Sequence, residues 1–575
     1  MKNFNNIFLI ACVFIAMQSC EEVLETQPLD KFSEANVWSD PVLTQGFIYD
    51  AMNDIYRDWL TVPNSSTLFS ANDLHTDNQI RSGGGGNINT GDYDKFYNAG
   101  WNQFGQIRQA NLIIEKVNNS TSFSESQRTN FIAQGHMLRA MIYSRQARFF
   151  GKYTIIDKVL TIDDDLLLGR SETIKDTYDF ILSDLTIAAN GLPDSGEPGT
   201  LTKGSALALK AEMALQGAAY VESGKDEYYQ IAKQASEDLF GLGYQLDTDY
   251  AGMFNTEQGG INSTEMILAY YRSADNTRFR DTPMQRIVPN LGLNRLHPDA
   301  SPQLNEGFSG WNRISPTWSL VTNYLVVDED GVAKKWNETS YYQDYLSNGG
   351  YVSNAIFKNR DERFYASIVH DSSSYFGQLV TFREGGNLHW TANTGSKWGM
   401  SPSGFHQRKG LYEAERLSAG ANTAYHYPMF RLGRSYLNYA ETMLRLNQPS
   451  VAIEYINKTR VAHGKLPELS TGLGLDDAWK YYKIERRVEL FFENDRYWSL
   501  LRWGKEAGGG IIDELNTNKQ TFVISADGMS FELLDEIPNG YDTRNKMNFS
   551  VKRYLFPVPE GERQLNEKLD QNPGW

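Results

Sequence analysis

The chain has 575 residues, with 55 basic against 71 acidic side chains and a formal charge of −16, which argues against nucleic acid or anionic lipid as its main partner. Its length is ample for a large core, whether split into domains or built as one repeat array. The 12 Trp, 32 Tyr and 29 Phe are more ring surface than a polar chain must bury, so some is expected at a ligand face.

Lys2 is the one charge before an apolar run from Ile7 to Met17, too short to span a bilayer, so residues 1–19 read as an export signal that is removed. Gln18, Ser19 and Cys20 resemble a bacterial lipobox, which implies that Cys20 is acylated and anchors the mature chain. The other reading is a secretory signal with an incidental cysteine. Glu21 and Glu22 resemble the mark that sends such lipoproteins to the cell surface. Cys12 and Cys20 are the only cysteines, so the mature chain has no thiol for a disulfide, a metal site or a nucleophile.

Residues 20–40 read as anchor and tether, leading into a first helix near 40–58. Ile107, Ile114 and Val117 mark a helix, and Glu125 to Phe150 a longer one capped by Ser124. Another runs from Ser171 and Asp176 to Ala189, stopped by Gly191, Leu192 and Pro193. Lys203 to Val221 is alanine-rich and forms a hairpin with Asp226 to Phe240 across Ser223 and Gly224. A second hairpin is expected from Ser435–Leu446 and Ser450–His463. Small residues at the crossings suit a stack of helical hairpins. The expected fold is therefore mainly α, with a tetratricopeptide-like helical-hairpin scaffold over about 41–250 and 430–505 and an irregular, loop-rich ligand-binding subdomain over about 250–430.

Two segments carry candidate ligand contacts. In SANDLHTDNQIRSGGGGN, 70–87, the side chains of Asp73, His75, Asp77, Asn78, Gln79 and Arg81 offer the paired donors and acceptors that sugar hydroxyls need, although a solvated loop with Asx turns fits the same residues. In GFSGWNRISPTW, 307–318, glycines leave Trp311 little local cover, so its indole with Asn312 is the expected stacking pair unless the ring is core. Trp318 continues a helical stripe with Leu320, Val321 and Tyr324 and reads as core, while Tyr93 is a weaker aromatic candidate. No HExxH, no paired Cys/His spacing, no phosphate loop after Gly83–Gly86 and no GxSxG appear, so no metal, cofactor or catalytic residue is assigned.

In IERRVELFFENDRYWSLLRWG, 484–504, Ile484, Val488, Phe491, Trp498 and Leu501 define one buried helix. Glu485, Glu489 and Glu493 share a face, with Arg486 and Arg496 three residues from a glutamate, and read as an ion-pair lattice rather than general acids. This stretch and RYLFPVPEGERQLNEKLDQNPGW at the C-terminus together resemble the SusD/RagB family. SPTWSLVTNYLVVDEDG at 315–331 and KNRDERFYASIV at 358–369 resemble further landmarks of that family, and the segments around Asp73 and Trp311 resemble those that supply its ligand contacts. The resemblance implies a non-enzymatic, lipid-anchored outer-membrane protein that binds an oligosaccharide at the cell surface and passes it to a SusC-like TonB-dependent transporter. A peptide-binding member of the same family and a surface glycosidase using two carboxylates are the alternatives.

Overall fold

The computed structural model describes residues 34–60, 71–81, 87–289, 310–312, 314–392, 399–414, 420–535 and 546–575. Cys20 with the export segment, the run 82–86, and residues 307–309 and 313 of the Trp311 segment lie outside the described residues.

The scaffold consists of α1 (Pro41–Leu60), α2 (Phe104–Asn119), α3 (Glu125–Phe150), α4 (Ile174–Gly191), α5 (Lys203–Tyr220), α6 (Lys225–Phe240), α7 (Leu432–Arg445), α8 (Pro449–Ala462), α9 (Leu475–Glu489) and α10 (Arg496–Glu506). Each helix from α2 to α8 packs on the next, α1 lies on α2 and α3, and α10 lies on α5. The mainly α, helical-hairpin architecture is thus the one present. Capping boxes fix three of the helix starts: the hydroxyls of Ser124, Thr173 and Thr202 accept from the amides of Gln127, Asp176 and Ser205, whose side chains reach back. Small residues set the spacing of the stack. A Cβ at Gly217 in α5 would lie 2.7 Å from Tyr228 of α6 and 2.9 Å from Tyr178 of α4. Glycine there lets α5 lie between both neighbours, with almost its whole length buried.

Between α6 and α7 the chain forms short helices and two-stranded antiparallel pairs rather than a layer. The strands needed below are β1 (Gln79–Arg81), β2 (Met266–Arg272), β3 (Ile314–Pro316), β4 (Ile368–Val369), β5 (His406–Gln407), β6 (Tyr425–Arg431), β7 (Thr521–Ile524) and β8 (Phe531–Leu534). β2 pairs with β6, which ties the start of this subdomain to its end, and β4 pairs with β5. Its core includes Trp318, buried as expected, stacked on Phe522 of β7 at 4.5 Å and on Phe405 at 6.2 Å. The β7–β8 hairpin therefore returns to the subdomain from beyond α10, a contribution that no local pattern announces.

The C-terminal signature becomes a clasp. Asn572 donates to the carbonyls of Phe150 and Phe556, at 3.0 and 2.7 Å, and Gln571 exchanges two 2.8 Å bonds with the backbone of Val558. Trp575 stacks on Tyr93 at 5.2 Å.

The expected single helix over 484–504 is two helices. α9 ends at Glu489, and the chain turns through positive φ at Phe492 (63°) and Asn494 (59°) before α10 begins at Arg496. Apolar periodicity reports burial, and both halves are buried, so it cannot see this break. Two tertiary bonds hold it, Phe492 N–H to Asp73 at 2.5 Å and Tyr427 O–H to the Phe492 carbonyl at 2.9 Å. They offset a left-handed conformation that costs about 1–3 kcal/mol.

The lattice is present, with partners other than the local ones. Glu489 meets Arg431 at 2.6 Å, His463 at 2.7 Å and Arg363 at 2.7 Å. Arg431 also meets Glu265 at 2.6 Å and Glu493 at 2.8 Å, while Lys409 meets Glu493 at 2.6 Å. Arg363 is shared by Asp361, Glu485 and Glu489. Arg486 pairs with Asp495 at 2.6 Å instead of Glu489, and Arg496 with Asp77 at 3.0 Å instead of Glu493. Burial alone would raise Glu489, but the charges of His463 and Arg431 outweigh it and hold the carboxyl well below its usual range. Glu265, His463 and Glu489 have the composition of a metal site, yet Arg431 and an imidazolium already neutralise both carboxylates.

His463 supplies a pH test. Burial opposes its charge, but Glu489 and Glu265 prevail and raise its pKa to about 10. A raised folded-state pKa contributes stability that is complete below the unfolded value of about 6.5 and is lost as pH climbs towards 10. His463→Gln is therefore expected to be destabilised most at mildly acidic pH. Its deficit against wild type in urea unfolding should shrink above neutrality by up to about 1.4 kcal/mol per pH unit.

Candidate functional site

The two segments singled out in the sequence meet although more than two hundred residues separate them. β1 and β3 pair antiparallel, with Gln79 opposite Pro316, Ile80 opposite Ser315 and Arg81 opposite Ile314. Thr317 extends the join: its amide donates to the Asn78 carbonyl at 3.0 Å and its hydroxyl to the Asp77 carbonyl at 2.5 Å.

Most of the polar side chains expected to face a ligand face inward instead. Asp77 takes a two-pronged bond from Arg496 at 3.0 and 3.1 Å and a contact from Arg487 at 2.9 Å. Burial raises its pKa, but those two guanidinium groups bring the net shift below the usual carboxylate range. Asn78 accepts from Arg487 at 2.8 Å and donates to Asp73 at 2.8 Å, and Gln79 donates to Gln407 at 2.6 Å. All four residues, Asp73 included, are buried. Burial pushes Asp73 up to about 6 even though Asn78 and the Phe492 amide stabilise its charge. The planar groups of Asp73, Asp77, Asn78 and Gln79 thus bond protein rather than solvent. Residue type alone does not separate the two uses, because the chemistry that suits a sugar hydroxyl also suits a buried guanidinium.

Tyr93, half-buried, has ring partners of its own. It stacks on Trp575, packs at a tilt against Tyr97 and Phe556 within the C-terminal clasp, and accepts a 3.1 Å bond from Arg553. Lys519, which no motif marks, is buried and donates to the carbonyls of Leu74 and Gln79 at 3.0 and 2.6 Å. Burial brings its pKa down to about 7, with Asp77 acting in the opposite sense. It pins both ends of the 74–79 turn.

On the outer rim the structure leaves Arg81, half-buried, and Trp311, 43% exposed. The Trp311 backbone is clipped to the segment before it: its amide donates to the Gln285 carbonyl at 2.7 Å, and the Asn312 amide to that of Val288 at 2.8 Å. Asn312 takes positive φ (37°) and is buried, with its side-chain oxygen accepting from Ser315 at 3.3 Å. Asn312 therefore shapes the turn that presents Trp311 instead of standing beside it on the surface. An indole displayed from a fixed backbone is a flat apolar platform, and Ile314, three residues further on, stands opposite Arg81 in the β1–β3 pair.

A family model described as the SusD family matches residues 264–575, and one described as starch-binding, associating with outer membrane, matches residues 40–215. Among curated proteins the chain is 24% identical over 549 residues to SusD-like protein P38 of Formosa agariphila, covering 88% of this chain and 93% of that one. Among solved structures it is similar to a SusD-like protein of Bacteroides fragilis, with a TM-score of 0.74 at 23% identity over 95% of this chain and 100% of the other. A laminarin-binding SusD-like protein gives a TM-score of 0.61 at 18% identity over 92% and 99%.

Asp77→Ala tests the inward reading. It strands Arg487 and Arg496 in the interior, so chemical denaturation should show a loss of about 3–5 kcal/mol. A loss below about 0.5 kcal/mol, typical of surface positions, would return Asp77 to the surface.

Proposed function

The chain belongs to the SusD family, and on that premise we propose that it is a cell-surface glycan-binding lipoprotein that hands an oligosaccharide to a TonB-dependent transporter in the outer membrane. The observation that carries this reading is the exposed Trp311 indole on a backbone clipped to Gln285 and Val288. A pyranose ring can lie on such a face while its hydroxyls bond neighbouring polar groups. The laminarin-binding structure among the neighbours supports a carbohydrate as the cargo. That Asp73 and Asp77 are buried and bonded supports a binder over a glycosidase built on these carboxylates. Among the described residues no helix is long and apolar enough to cross a membrane, so passage of the cargo falls to a partner. Acylation at Cys20 would keep the binder beside it.

Calorimetry against a panel of oligosaccharides tests the ligand class. For a sugar found to bind, Trp311→Ala should weaken affinity by about 2 kcal/mol, roughly thirtyfold, with the fold unchanged. Equal affinity in the folded variant removes Trp311 from the site.

The anchor has its own test. Cys20→Ala is expected to move the exported protein from the membrane to the soluble fraction in cells lacking the transporter, because the acyl chains supply its membrane affinity. Unchanged membrane association there contradicts acylation.

A further inference from the structure

Gln407, which bonds Gln79 behind β1, is followed by Arg408, and Arg408 lines a cleft of about 680 Å³ that shares no residue with the Trp311 segment. That volume lies within the about 300–1,000 Å³ of small-molecule sites. Helices Tyr250–Asn255 and Glu362–Ser367, the strand Ser373–Tyr375 and the turn after β5 form its walls.

The polar groups of this cleft are held in place before any ligand arrives. Arg408 donates to Glu413 at 2.5 Å, to the Tyr365 carbonyl at 2.9 Å and to the Ser374 carbonyl. Three of its five N–H groups are therefore committed, and its charge is neutralised by Glu413. His370 is 8% exposed, and its ring sits against Phe357 at 4.6 Å and Phe364 at 5.1 Å. Its Nδ1 lies 2.9 Å from the Asp371 carbonyl, which only accepts, so the proton is on Nδ1 and Nε2 offers a lone pair. Burial brings this histidine down to about 4, so it stays neutral. Nε2 has no protein partner among the described residues. Leu411 and Ala366 add apolar surface to the lining, and Ser372 at its rim takes positive φ (63°), a conformation that a fixed surround must hold.

We propose that this cleft is a second binding site, taking a neutral polyhydroxylated segment of a glycan chain. A hydroxyl both donates and accepts, and the cleft offers both halves: the lone pair of His370 on one side, the remaining N–H groups of Arg408 and the Ser374 hydroxyl on the other. An anionic ligand is disfavoured, because Glu413 already neutralises Arg408 and Glu362 adds a further negative charge. The choice of a glycan rests on the function proposed above, whereas the cleft and its polar groups do not. The two sites are joined through the Gln79–Gln407 bond, and one long chain engaging both would bind with an avidity neither has alone.

Calorimetry with laminarihexaose and maltohexaose on wild type, Trp311→Ala, Ser374→Trp and the double variant separates the possibilities. Ser374 is exposed on a strand, where tryptophan is accommodated, and its indole would close the mouth of the cleft. The expected result is residual binding in Trp311→Ala that falls at least tenfold further in the double variant. His370→Phe, which keeps the ring packing, should give the same loss should Ser374→Trp not fold. Loss confined to the cleft variants, with Trp311→Ala silent, keeps this site and removes the Trp311 reading. If Ser374→Trp and His370→Phe bind as wild type in both backgrounds, the second site is overturned while the proposed function stands. A wild type that binds neither these two sugars nor any other of the panel contradicts both.

Discussion

Helix α9 carries charges on several sides, and each side is claimed by a different part of the chain. Glu485 and Glu489 take Arg363 from the loop-rich subdomain, and Glu489 also takes Arg431 from the end of β6 and His463 from the end of α8. Arg486 reaches Asp495 across the helix break and Asn438 of α7, while Arg487 reaches Asp77 and Asn78. None of these groups has water as an alternative partner, since all are buried. Removing one partner leaves another charge stranded, so the position of every segment is fixed by the others. Because replacing such a pair by well-packed apolar residues is often neutral or stabilising, the lattice acts on geometry more than on total stability. It decides how an irregular subdomain sits on a helical stack that could otherwise accept it in more than one way.

The same constraint positions the proposed Trp311 site. Asp77 and Asn78 are drawn inward by Arg487 and Arg496, Lys519 holds the carbonyls of Leu74 and Gln79, and β1 is left in register to pair with β3. Pairing with β3 brings Trp311 to the rim, and backbone bonds to Gln285 and Val288 keep it there. A binding protein gains from such rigidity, since ordering a loop upon binding would subtract from the affinity it provides.

The parts legible in the sequence were those governed by local rules. The cap at Ser124 and the alanine-rich α5 follow from neighbours three or four residues apart, and the helices α3, α4 and α5 fall within a few residues of expectation. Trp318 as core and Trp311 as exposed also followed from local pattern, the one from a stripe and the other from flanking glycines. What escaped depends on partners hundreds of residues away. Asp77 looks the same in sequence whether it bonds a sugar or Arg496, and the break at Phe492 is made by Asp73 and Tyr427, far from the helix they interrupt. The lattice was visible as a lattice, but its pairings were not, because three-residue spacing favours Arg496 with Glu493 only if the helix continues, and Arg486 with Glu489 only if no outside charge competes.

Native-state hydrogen exchange compares the pieces directly. The account predicts that the amides of β1 and β3 that are bonded across the pair exchange only in the opening that also releases α9, with the same free energy and the same denaturant dependence. Exchange of β1 and β3 at a much lower free energy, while α9 stays protected, would show a loop that merely rests on the scaffold and would contradict a site held by the buried charges.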